Sequence, residues 1–97
     1  MKYLTYILYS EKFDAFYYGQ TQDLEARLVK HNSGFVKSSA RYLPWCIFAY
    51  KELATRSEAF LMEKKLKNCK NRNRIKKIIV QYQFIDWKTK KVIGPEN

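Results

Sequence analysis

Phe16-Tyr17-Tyr18-Gly19-Gln20-Thr21, running on through Asp23, Arg27 and His31 to Asn32-Ser33-Gly34, concentrates the chemistry of this chain. It reads as an aromatic strand, a glycine that allows a tight exit, and a short helix closed by a second glycine at its C′ position. Thr21 is the expected N-cap, with Asp23 and Glu25 suited to the positive end of the helix. Leu24 and Leu28 repeat at helical spacing and should face a core. Arg27 and His31 lie one turn apart on a separate polar stripe with Asp23.

Working outward, Leu4-Thr5-Tyr6-Ile7-Leu8-Tyr9 is apolar and β-prone, and Ser10 to Asp14 is a connection of hairpin length. If Tyr9 pairs with Asp14, the register places Tyr6 directly opposite Tyr17 on one face. Beyond the helix, residues 35–43 contain no acidic group, include Lys37 and Arg41, and are expected to be an exposed loop. Trp45 to Tyr50 follows as a third strand. Thr55-Arg56-Ser57-Glu58 matches the capping box, so a helix should begin there, with Ala59, Met62 and Leu66 as its apolar stripe and Glu63 beside it. From Lys64 to Phe84 there is no acidic residue, and the basic amphipathic pattern predicts a break near Asn71 and another helix. The expected architecture is therefore a small α/β (α+β) domain over residues 1–82. It has a three-stranded antiparallel sheet flanked by helices, in the order β-β-α-β-α-α. Residues 83–97 are expected to be a loosely attached extension.

The composition suits a single domain of 97 residues with a packed core, since 46% are hydrophobic and 16% aromatic. Nineteen Lys and Arg against nine Asp and Glu leave a net charge of +10, which favours a polyanionic partner through counterion release. Charge alone does not separate DNA from RNA. Cys46 and Cys69 lack metal-type spacing, and a single histidine argues against a structural zinc site. No run approaches membrane-spanning length and no signal peptide is seen, so a cytoplasmic setting with free thiols and no membrane partner is expected.

Together, these residues resemble the GIY-YIG endonucleases. The resemblance runs from Tyr6 in Leu4-Thr5-Tyr6 through Tyr17-Tyr18-Gly19, Arg27, His31 and Pro44-Trp45 to Glu63, covering roughly residues 1–82. It is strongest to the small stand-alone bacterial members, which are related to the nuclease module of the excision-repair endonuclease subunit. Leu4 and Thr5 stand where the name-giving Gly and Ile would be, and Tyr18 replaces the Ile of the second triplet. The resemblance implies metal-dependent hydrolysis of DNA phosphodiesters, structure-guided or weakly specific, in DNA repair or processing. A targeting protein partner is compatible with so short a chain.

The residue types suit that chemistry. Phosphodiester cleavage needs an activated water, a counter-charge for the phosphorane and help for the leaving oxygen. Glu63 can hold Mg²⁺ or Mn²⁺, and Arg27 offers a planar fork to phosphate oxygens. Tyr6 is assigned as general base or proton relay if its pKa is lowered. Tyr17 would orient water or phosphate. His31, titrating near neutrality, would accept a proton or hydrogen-bond the scissile phosphate. Lys37, Arg41, Lys67, Lys70, Arg72 and Arg74 are the candidate nucleic-acid contacts. Read singly, Tyr6 and Tyr17 could be sheet aromatics, His31 a helix C-terminal cap, Arg27 a partner of Asp23 or Glu58, and Glu63 a partner of Lys67. The alternative function is an inactive nucleic-acid-binding module of the same fold; a protein-binding domain is a third.

Overall fold

In the computed structural model, residues 2–95 are described. The elements are β1 (Tyr3–Ser10), β2 (Ala15–Thr21), α1 (Leu24–Asn32), β3 (Cys46–Leu53), α2 (Arg56–Lys67), α3 (Arg72–Gln81) and β4 (Ile85–Asp86). A 3₁₀ turn at Ala40–Tyr42 lies between α1 and β3. The sheet order is β2-β1-β3-β4, with every pairing antiparallel. No helix among the described residues is long and apolar enough to cross a membrane.

β1 is central, and its sequence shows why. Thr5, Tyr6, Ile7 and Leu8 are all buried, as in a strand covered on both faces. Ile7 joins Ala49, Met62, Leu66, Ile75, Ile79 and Phe84 beneath α2 and α3. On the other face Tyr6 and Leu8 pack with Leu24, Trp45 and Ile47 beneath α1. Thr5, at one of the positions that depart from the family triplet, donates its hydroxyl to the Ala59 carbonyl at 2.8 Å and so ties β1 to α2.

Several expectations need correction. The sheet has four strands, not three, because Ile85 and Asp86 pair with Tyr50 and Ala49. A two-residue strand leaves too little alternation to be read from sequence. The segment after α3 is also tied down: Phe84 is fully buried, Trp87 N–H donates to the Phe48 carbonyl, and Ile93 N–H donates to the Phe84 carbonyl. Residues 96 and 97 of that expected loose extension lie outside the described residues.

The hairpin register is shifted by two residues from the expected one. Tyr6 lies opposite Gly19, and Tyr17 opposite Leu8. A shift of two preserves the face, so Tyr6 and Tyr17 remain diagonal neighbours on one side. The connection is closed by Asp14 at φ 49°, where Arg72 of α3 donates to both carboxylate oxygens (2.9 and 3.0 Å) and to the Asp14 carbonyl. The N-cap of α1 is Asp23, whose Oδ1 accepts from Ala26 N–H, whereas Thr21 ends β2. Thr55 caps α2, as the sequence predicts, and the expected break near Asn71 is where Asn71 caps α3.

Gly19 is not a strand exit. It sits within β2, and the Tyr6 ring lies across it: an added Cβ would stand 2.3 Å from Tyr6 Oη and 2.5 Å from Cζ. The glycine supplies space for a phenol. Gly19→Ala should therefore cost about 1–3 kcal/mol of stability through overpacking. In a Tyr6→Phe background, which lacks Oη, the cost should be smaller. Urea unfolding of the four proteins of this cycle tests the contact, and strictly additive losses would show that the Cβ finds room elsewhere.

Candidate active site

The site is built on β1, β2 and α1. Tyr6 projects from β1 toward α1, over Gly19, and meets two side chains of the polar stripe. Its hydroxyl lies 2.9 Å from His31 Nε2 and accepts from Arg27 Nε at 3.3 Å. Tyr17, from β2, lays its ring edge-on to the His31 imidazole, with centroids 4.8 Å apart. Four of the five catalytic candidates are thus linked in one chain of contacts.

The far side of His31 is closed by residues 38 and 39, which belong to the segment expected to be an exposed loop. His31 Nδ1 lies 2.6 Å from Ser39 Oγ, and both residues are fully buried. The neighbouring Ser38 Oγ is 2.9 Å from the Tyr17 hydroxyl. Trp45 Nε1–H donates to the Ser39 carbonyl, while Asn32 grips the Trp45 backbone in both directions, at 2.9 and 2.7 Å. The segment is therefore an anchored wall of the site. Its polar composition conceals this, because a buried serine and a solvated one look alike in sequence.

The network assigns its own protons. Ser39 Oγ also lies 3.3 Å from the Val36 carbonyl, to which it donates. Ser39 must then accept from His31 Nδ1–H, which leaves Nε2 to accept the Tyr6 proton, while the Tyr6 oxygen accepts from Arg27. This is the tautomer in which every contact is a hydrogen bond.

Electrostatics correct two further expectations. His31 does not titrate near neutrality: burial, and secondarily the Arg27 charge, push its pKa down to about 4. With both ring nitrogens occupied, it is not available to bond a phosphate directly. Tyr6 is raised, not lowered. Burial is the main cause, opposed by the hydrogen bond and charge of Arg27, with the charges of Tyr17 and Glu63 adding to the rise. At neutral pH both rings are uncharged.

Glu63, in α2, stands somewhat apart. Its charge reaches Tyr6, but its carboxylate is paired with Lys67 Nζ at 2.6 Å and its side chain is only 14% exposed. No group of three or more His, Cys, Asp or Glu side chains that could hold a metal occurs among the described residues.

Of the candidate nucleic-acid contacts, Lys67 and Arg72 have internal partners, Glu63 and Asp14, and Arg72 also lies over the Phe16 ring at 4.9 Å. Arg41 is turned over Tyr42. Lys37 and Lys70 are exposed, and Arg74 lines an open groove between α2 and α3 with Lys64, Lys65 and Lys77.

The buried imidazole makes stability pH-dependent. Its folded pKa of about 4 lies below the ordinary 6.5, so between those values the unfolded chain binds the extra proton. This contribution is full above pH 6.5 and falls away with the pH, the loss reaching about 3 kcal/mol at pH 4. Urea unfolding between pH 4 and 7 should show a slope that His31→Gln flattens; an equally steep slope in the variant would assign the loss to other groups.

The family model described as the GIY-YIG catalytic domain matches residues 2–77. No curated protein matches the chain. Among solved structures, a UPF0213 protein from Bacillus halodurans, determined by solution NMR, is 27% identical with a TM-score of 0.49, over 80% of this chain and 83% of that one. The match of the family model spans most of the residues, Tyr6, Tyr17, Arg27, His31 and Glu63 included, and the chain belongs to the GIY-YIG nuclease family.

Proposed function

We propose that this protein is a metal-dependent DNA endonuclease that hydrolyses phosphodiester bonds with little base reading, in DNA repair or processing. The observation that carries the reading is the buried chain of hydrogen bonds Ser39–His31–Tyr6–Arg27, with Tyr17 against the imidazole. A buried hydroxyl is satisfied by a single partner, whereas this one has both a neutral histidine and a guanidinium that is itself only partly buried.

In this mechanism Arg27 binds the scissile phosphate with its remaining N–H groups and stays bonded to Tyr6 through Nε. The incoming phosphate charge offsets the Arg27 field, one of the two causes that depress His31, and so raises the basicity of the imidazole. Tyr6 then passes its proton to His31 Nε2 as it takes one from the attacking water. Ser39 holds the tautomer that leaves Nε2 free to accept, and Ser38 keeps the Tyr17 hydroxyl at the mouth of the site, where it can orient water or phosphate. Glu63 suits a Mg²⁺ or Mn²⁺ ion: it is a single, mostly shielded carboxylate that already accepts a cation, the Lys67 ammonium. When bound, such an ion would supply Lewis-acid stabilisation of the phosphorane.

The same Lys67–Glu63 pair favours a second reading. If the ammonium is not displaced, the fold is a nucleic-acid-binding module that does not cut.

Supercoiled and branched DNA incubated with Mg²⁺ or Mn²⁺ should be nicked. Glu63→Gln and Tyr17→Phe should each lower the rate by about 100-fold or more. Ser39→Ala should slow cleavage with DNA affinity unchanged, and Ser39→Thr should recover it. Salt-sensitive binding without nicking in either metal would sink the enzyme in favour of the module. Separately, Lys70→Gln with Arg74→Gln should reduce the salt slope of binding by up to about 0.9 log unit for each phosphate no longer neutralised. An unchanged slope would remove that face from the interface.

A further inference from the structure

The outer side of α1 carries a groove that shares only Arg27 with the hydrogen-bonded cluster. Its volume is about 500 Å³, and its lining includes Ala26, Arg27, Val29, Lys30 and Phe35. Phe35 is 80% exposed and Val29 70%, the highest values among the large apolar side chains described. Phe35 packs against no other ring among the described residues, yet its backbone is fixed. Its N–H donates to Ser33 Oγ at 3.3 Å, Ser33 Oγ donates to the Lys30 carbonyl at 2.6 Å, and Gly34 makes the turn at φ 80°. The hydrogen-bonded turn thus presents a bare aromatic face.

Single exposed apolar residues are ordinary. Here two of them share a groove with two cations, and one of those cations is Arg27, whose Nε is bonded to Tyr6. Asp23, the acidic member of the lining, has its Oδ1 committed to Ala26 N–H. A second copy of this chain is a poor occupant, because two bodies of charge +10 repel. A nucleotide fits both features, with phosphate on Arg27 and Lys30 and a base over Phe35.

We propose that Phe35 and Val29 form a stacking platform for an unpaired nucleobase next to the phosphate held by Arg27. The preferred substrate class is accordingly nucleic acid with a single-stranded nucleotide at the site, as in flaps, overhangs and branches. A base inside a duplex has its faces covered by its neighbours and cannot reach the ring without being extruded. This rests on the nuclease reading for the position of the scissile phosphate and deepens it by naming the substrate structure.

The test is equilibrium binding in metal-free buffer with EDTA, using a single-stranded oligonucleotide, a duplex with a flap, and a blunt duplex of the same length. Phe35→Ala should weaken binding of the first two by about 5- to 100-fold and leave the blunt duplex within about twofold. The salt slope should be unchanged, since no phosphate contact is removed. Phe35→Trp should retain affinity, and its added fluorescence, above that of Trp45 and Trp87, should be quenched by the single strand. Equal losses on all three probes, no loss on any, or an unquenched Phe35→Trp would overturn the platform. Cleavage is read separately. Failure of the wild type to nick DNA while Phe35→Ala still discriminates would remove the nuclease and leave the platform standing; normal nicking with an indifferent Phe35→Ala would do the reverse.

Discussion

The phenol of Tyr6 is fully covered at the centre of the sheet, and its oxygen must find partners there. A buried hydroxyl left unsatisfied costs about 1–3 kcal/mol, comparable to a large fraction of what a small domain has to spare. The structure meets that demand with an acceptor and a donor from one helix, His31 and Arg27, and with a glycine in the facing strand that leaves room for the ring. Burying the imidazole then creates a second demand, which Ser39 satisfies from the segment before β3. No buried side-chain polar atom among the described residues is left without a partner. Folding and the preparation of the site are the same set of contacts.

That coupling explains why residues 35–43 are ordered. The segment is held by the two-way bond between Asn32 and the Trp45 backbone, and by the Trp45 indole on the Ser39 carbonyl. It follows that α1 and β3 cannot shift relative to one another without disturbing the proton assignment of His31. Rigidity here is useful because hydrogen-bond chemistry depends on tenths of an ångström.

What is legible in the sequence divides along physical lines. Strong periodicity and local capping chemistry locate β1, β2, α1, β3, α2 and α3, and family spacing nominates Tyr6, Tyr17, Arg27, His31 and Glu63, of which the first four are linked by contacts in the fold. The failures involve information that is not local. The hairpin turn at Asp14 is met by Arg72, 58 positions away, a contact that no local pattern announces. β4 depends on Phe84 being drawn into the core beneath β3. The role of Ser39 depends on burial, which a serine does not announce. The ordinary pKa range is wrong for His31 and Tyr6 for the same reason: desolvation is a property of the fold and not of the residue.

The basic composition needs the same distinction. Lys67 and Arg72 are among the nineteen cations, yet one balances Glu63 and the other braces the hairpin. The surplus charge draws in a polyanion from any direction, which is a long-range and salt-screened effect. In the proposed reaction, productive binding is decided by Arg27, the cation bonded to the cluster. Arg27 bonds Tyr6, depresses His31 and lines the same groove as Phe35, so its charge is felt by both buried rings of the proposed reaction. A phosphate that neutralises it changes the proton affinity of the site at the moment of arrival. Binding elsewhere on the basic surface leaves Tyr6 and His31 in their resting, uncharged state. Under the proposed mechanism, discrimination between a phosphate that is cut and one that is merely held therefore lies in the reach of a single guanidinium.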